Sequence, residues 1–242
     1  MLKAMPVTTT LPTTSVIITI DGPAGTGKSS VAHLLAERLG LEFLDTGAMY
    51  RTAALIALER DIDPADGTTL SHLVEQMTPH FDWNQKPPPI MIGERDVSEH
   101  IRSLPVNAIV SIVAAQPEIR RVLVDRQRAV AAQHPRLVTE GRDQGSVVFP
   151  DAPLRFYLDA DVRIRARRRA DQLRKTGVPV EEEKMIRDIQ SRDEIDSTRP
   201  DGPLMRPPGA IVIDTTELSL EEVVDRMERV VRDSLPDAGL KS

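Results

Sequence analysis

The eight residues Gly22-Pro23-Ala24-Gly25-Thr26-Gly27-Lys28-Ser29 follow the spacing GxxxxGK and then a hydroxyl residue, with Ser30 adding a second hydroxyl. That pattern suits phosphate binding. Glycines let the backbone curl so that successive N–H groups point at phosphate oxygens, and a helix starting at the end of the loop adds partial positive charge. Lys28 is placed to reach the β- and γ-phosphates, and the Ser29 hydroxyl to face a Mg²⁺ ion that accompanies ATP. A bare glycine-rich turn has a similar composition, so the flanking elements decide between the two readings.

Arginines are the second set of residues with chemistry to offer. Arg51, Arg120, Arg142, Arg192 and Arg199 lie near strand ends or on helices that could face the loop. Taken singly, each is more readily a solvated surface residue, and only as a set do they point to a site. A denser cationic run spans Arg163 to Lys175, with seven cations and one Asp in a chain of formal net charge −6.

The elements that must hold these residues are visible as pattern. Val16 to Ile20 is a short β-branched run suited to a strand buried on both faces. From Ser29, Val31, Leu34, Leu35 and Leu39 recur at helical spacing, and Gly40 stands where a left-handed residue ends a helix. Strand, glycine loop and helix are therefore contiguous, as a phosphate-binding loop requires. Leu41–Leu44, Arg136–Thr139, Leu154–Leu158 and Ala210–Ile213 repeat the apolar strand pattern beside helical stretches. Five such strands predict an α/β fold with a doubly wound parallel sheet. Ser219 and Glu222 form a capping box ahead of a final helix carrying Val223, Val224, Met227, Val230 and Val231. Residues 64–102 break the alternation, with few helical signals after Met77, a proline run at 87–89 and β-like pieces near Phe81 and Ile90, and read as an insert.

Composition narrows the class. The 242 residues suffice for one domain, read as 16–235 with a core of 16–63 and 103–235, between flexible tails at 1–15 and 236–242. With no cysteine, disulfides and thiolate metal sites are excluded. No stretch approaches the roughly 18 apolar residues of a membrane span. The acidic balance argues against a general nucleic-acid surface. A cytoplasmic protein is expected, without nucleic-acid or membrane partners. A GTPase would carry an Asn-Lys-x-Asp segment, yet Asn84 and Asn107 are the only asparagines and neither precedes Lys. A strand-translocating ATPase would need aromatic stacking residues, and aromatics are 3% of the chain. A small-molecule kinase remains.

From about Val16 to Leu235 the chain resembles the bacterial cytidylate kinases, a P-loop nucleoside monophosphate kinase family. The motifs that carry the resemblance are IDGPAGTGKSS at 20–30, LDTGAMYR at 44–51, EGRDQGSVVFPDA at 140–152, FYLDA at 156–160 and RDEIDSTR at 192–199. The resemblance implies transfer of the γ-phosphoryl group of ATP to CMP or dCMP by a monomer, with 64–102 as the CMP-binding insert and about 161–179 as a helical lid. It places Tyr50 and Arg51 in the CMP site, and puts Arg51, Arg142 and Arg199 on the monophosphate. Ser111, Arg120 and Asp143 match the cytosine-reading residues. A carboxylate there accepts from the cytosine N4 amino group and meets a carbonyl in uracil. Arg192 and Asp196 match residues near the ribose, the reading preferred to an ordinary i,i+4 ion pair. Thr46 stands where some relatives have Ser, and Ser29-Ser30 where some have Gly-Thr. Arg165, Arg168 and Arg169 are spaced for one helical face and could close over the ATP phosphates, with Arg168 and Arg169 joining Lys28, Arg142 and Arg199 at the transferring group. A kinase preferring UMP or AMP, and a regulator that binds ATP without transfer, are the alternatives.

Overall fold

The computed structural model describes residues 15–241 apart from 176 and 178. The expected N-terminal tail therefore lies, but for residue 15, outside the described residues. Strand β1 (Val16–Asp21) leads through the glycine loop into α1 (Lys28–Leu39), which ends on Gly40 in the left-handed region at φ 66°. Strand β2 (Glu42–Asp45) follows, and Asp45 caps α2 (Thr46–Glu59) by accepting the Ala48 N–H at 2.9 Å.

After α3 (Gly67–Met77) the chain forms a small antiparallel sheet of β3 (His80–Phe81), β4 (Ile90–Ile92) and β5 (Arg95–Asp96). Helices α4 (Leu104–Ala114) and α5 (Pro117–Gln133), each with proline in its first turn, lead to β6 (Arg136–Gly141). A single wide turn over 144–148 precedes β7 (Leu154–Asp159), followed by α6 (Val162–Arg174) and α7 (Glu182–Thr198). Strand β8 (Ile211–Asp214) and helix α8 (Leu220–Ser234) complete the described elements.

Strands β2-β6-β1-β7-β8 pair in that order, all parallel. Because β1 is central, its side chains alternate between two cores: Ile17 packs with α2–α5, while Val16, Ile18 and Ile20 pack with α1 and α8. The β8 end is followed by the capping box foreseen for α8: Glu222 N–H donates to Ser219 Oγ at 3.3 Å and Ser219 N–H to the Glu222 carboxylate at 2.8 Å.

Leu70 and Val74 of α3, along with Phe81, Ile90, Val97 and Ile101, belong to the same core as α2 and α5, so the segment 64–102 is sutured to the main body. The C-terminal boundary differs from the sequence reading: the expected free tail is corrected for residues 236–241. Lys241 N–H donates to the Leu39 carbonyl at 3.0 Å, Arg136 donates to the Ala238 and Gly239 carbonyls, and Ala238 and Leu240 pack on the α1–α8 core. The composition of that stretch hid the partner because the partner, Arg136, is 102 residues away.

Replacing Ser219 with Ala is expected to lower unfolding free energy by about 1 kcal/mol through loss of the cap, read as a lower urea midpoint at unchanged slope.

Candidate active site

Parallel strands aim their C-terminal ends at one edge, and the crevice of this fold opens there, where the chain reverses direction across the sheet. Gly22 lies so close to the Leu158 carbonyl that a Cβ would collide with it, and at φ 150° its backbone excludes an L side chain as well. Gly27, at φ 91°, hands the loop to α1. Lys28 is 5% exposed, and its ammonium curls back to donate to the Pro23 carbonyl at 2.7 Å and to Thr26 Oγ1 at 3.4 Å. Burial lowers it to about 7, repulsion from Arg142 adds to that, and Glu140 pulls the other way.

A cleft of about 620 Å³ runs from this loop to the face of α4. From the loop, Ala24, Gly25, Gly27, Lys28, Ser29 and Ser30 line it, whereas Gly22, Pro23 and Thr26 form the backing. Across the cleft stand Thr46, Tyr50, Arg51, Ser111, Arg142, Asp143, Arg169, Arg192, Asp196 and Arg199. Residues from six segments of the sequence thus share one wall-to-wall space.

Arg120 sits behind that wall, 1% exposed, bonded to the Asp143 carboxylate and donating to Tyr50 Oη at 3.3 Å. Asp201 forms an ion pair with its Nε at 3.3 Å, and Arg199 approaches Asp143 at 3.8 Å while donating to the Gly202 carbonyl at 2.7 Å. Arg142, the residue after β6, pairs with Asp196 at 2.8 Å, so Asp196 takes its ion-pair partner from outside α7, and the Arg192 Nε, buried, has no hydrogen-bond partner. Burial, then repulsion from Arg142 and Arg51, pushes Arg192 down to about 9. Thr46 donates to the Glu140 carbonyl at 2.7 Å.

The expectation of one helical face for Arg165, Arg168 and Arg169 is corrected. Arg165 is 7% exposed and donates to the Ala24 and Ala160 carbonyls and to Asp193, which makes it a brace for the loop. Arg168 turns to Thr215, donating to Oγ1 at 3.0 Å and to the carbonyl at 2.6 Å. Only Arg169 of the three lines the cleft. Helical spacing fixes angles about an axis, but neighbours on both sides of α6 compete for its arginines.

Glu140, inside a quoted motif yet given no role by sequence, accepts the Ser29 hydroxyl at 2.6 Å. Burial alone would raise its carboxyl, but Lys28, the Ser29 hydroxyl, Arg142 and Arg51 together hold it below the usual carboxylate range. A hydroxyl beside an ionised carboxylate is an oxygen donor set suited to a hard divalent cation, so Ser29 and Glu140 fit Mg²⁺. Its position at the end of a strand adjoining β1 is the signal that could have found it. No group of three acidic, His or Cys residues that could hold a metal occurs among the described residues.

Binding of ATP is expected to restore the charge on Lys28. At about pH 8, above its free value, ATP should therefore bind with proton uptake, seen in calorimetry as a heat that depends on buffer ionisation; the Lys28→Met variant should lose that dependence.

No helix among the described residues is long and apolar enough to cross a membrane. The sequence model of the family described as cytidylate kinase matches residues 18–233. A cytidylate kinase of Azotobacter vinelandii is 44% identical over 214 residues, covering 88% of this chain and 93% of that one. One of Mycolicibacterium paratuberculosis is 42% identical over 217 residues, covering 90% and 95%. One of Caldanaerobacter subterraneus is likewise 42% identical, over 218 residues. The family match over residues 18–233 and the relatives at 42% and 44% identity thus agree with the glycine loop and the arginine-lined cleft, and the chain belongs to the cytidylate kinase family.

Proposed function

We propose that the cleft holds ATP and CMP, or dCMP, end to end, with the donor phosphates on Gly22–Ser30 and the acceptor between α2, α4 and α7. As a cytidylate kinase the chain transfers the γ-phosphoryl group of ATP, giving ADP and CDP or dCDP. The observation that carries the site assignment is Asp143, held from behind by the buried Arg120 and facing the same space as the loop.

Asp143, its geometry fixed by Arg120, accepts from the cytosine N4 amino group, and Ser111 and Tyr50 frame the base. Uracil would turn a carbonyl toward that carboxylate, leaving two acceptors face to face. Arg51, Arg142 and Arg199 surround the acceptor phosphate, with Thr46 beside it; planar guanidinium forks bind phosphate bidentately, which a lysine cannot match. Arg192 and Asp196 hold the ribose end.

The acceptor phosphate has its second pKa near 6 and is mostly dianionic at neutral pH, so no protein base is required. What the protein supplies is alignment and positive charge. Lys28 swings from the Pro23 carbonyl to the β- and γ-phosphates, and Arg142 and Arg199 steady the group in flight. Ser29 and Glu140 would hold Mg²⁺, which neutralises phosphate charge when bound. Helices α6 and α7 act as the lid: Arg165 braces the loop, Arg169 reaches toward the phosphates, and Arg168 locks α6 to the segment after β8. Closure excludes water, the competing acceptor. We further take the enzyme to act as a cytoplasmic monomer with nucleotides as its partners, in keeping with the family it belongs to; the net charge of −6 speaks against a nucleic-acid partner.

Release of ADP from Mg-ATP, measured with CMP, dCMP, UMP, AMP and GMP in turn, should be strong only with CMP and dCMP. Asp143→Ala should reduce it by about a hundredfold or more, since a buried recognition pair is broken. Comparable turnover of AMP would overturn the base assignment. Arg169→Ala is expected to lower kcat about a hundredfold with KM for CMP nearly unchanged, and Arg168→Ala to cost less than about tenfold in kcat.

A further inference from the structure

Asp21, the last residue of β1, is fully buried and does not line the cleft. Its carboxylate reaches across the sheet to two successive backbone amides. Gln144 N–H donates to Oδ1 and Gly145 N–H to Oδ2, each at 2.7 Å. Those two amides open the turn that directly follows Arg142 and Asp143. The Gln144 side chain is held as well: Thr139 Oγ1 donates to its Oε1 at 2.9 Å, and its Nε2 donates to Gln127 Oε1 at 3.0 Å.

Burial works against a charge at this position and pushes the Asp21 carboxyl up to about 7, while the Gly145 and Gln144 amides pull it back. A carboxylate in so unfavourable a place stands there for what it binds. On its other side Asp21 is peptide-bonded to Gly22, which is itself pressed against the Leu158 carbonyl. The residue therefore has little slack toward either nucleotide.

We propose that Asp21 is a positioning residue for base selection, tying the backbone of Gln144 and Gly145, which directly follows Arg142 and Asp143, to the first residue of the phosphate-binding loop so that acceptor base and donor phosphates keep one register. The inference rests on reading Asp143 with Arg120 as the base-recognising pair, and deepens it.

Asp21→Asn keeps the shape but offers one acceptor oxygen for two amides, so one buried N–H faces an NH₂ group. With one buried amide unpaired, KM for CMP should rise about tenfold, the CMP-over-UMP ratio of kcat/KM should fall about fivefold or more, and KM for ATP should stay within about twofold. An unchanged CMP-over-UMP ratio, or equal rises in both KM values, would overturn the proposal. Asp143→Ala, assayed alongside, separates the two layers. If it leaves the ratio unchanged, the base-reading assignment fails and this inference with it; if it abolishes the ratio while Asp21→Asn does not, only the role of Asp21 fails. Should Asp21→Asn not fold, the wild-type protein answers by NMR. Downfield, slowly exchanging Gln144 and Gly145 amides are expected, and ordinary shifts with fast exchange would overturn the inference.

Discussion

Positive charge has to be gathered where two polyanions meet, and gathering it without them is unfavourable. Lys28, Arg51, Arg142, Arg192 and Arg169 share one cleft, and burial and mutual repulsion pull Lys28 to about 7 and Arg192 to about 9. The fold answers with a few carboxylates placed where they temper the repulsion without filling the space. Glu140 faces Lys28 and Ser29, Asp196 takes Arg142, and Asp143 takes Arg120. Everything around the cleft can be understood as holding these opposed charges at a fixed distance.

The sheet edge makes that holding possible. Strands β1, β2, β7 and β8 each end in an aspartate that accepts backbone N–H groups: Asp45, Asp159 and Asp214 from Ala48, Ala160 and Thr216 just past their own strands, and Asp21 from Gln144 and Gly145 in the turn after β6. A parallel sheet presents its loops along one edge, and unpaired amides there need acceptors. These side chains therefore shape the rim before any ligand arrives.

Features written locally in the chain were legible from it. The glycine loop lies between its own strand and helix, the capping box spans four residues, and the five strands are apolar runs of the right length. Features that depend on a distant partner were not. The direction of Arg168 is decided by Thr215, the pairing of Asp196 by Arg142, and the docking of the C-terminal residues by Arg136 and Leu39. Glu140 was visible as a letter in a motif, but its bond to the Ser29 hydroxyl exists only because β6 lies next to β1 in the sheet. The same adjacency brings Asp21 to Gln144, and no periodicity along one strand could have announced it.

Strand β1 is a party wall. Ile17 leans into the core under the acceptor side, and Ile18 and Ile20 lean into the core under the helix that follows the loop. Neither hydrophobic mass can loosen without exposing the same six-residue ribbon, so the two halves of the molecule are not separable folding units. Helices α6 and α7 contribute little to either mass: their buried apolar residues are Ala166, Ala170 and Ile189, which belong to neither core. The body is thus held by shared apolar burial, whereas α6 and α7 are held to it by polar bonds, from Arg165 to the Ala24 carbonyl, from Arg168 to Thr215 and from Asp196 to Arg142.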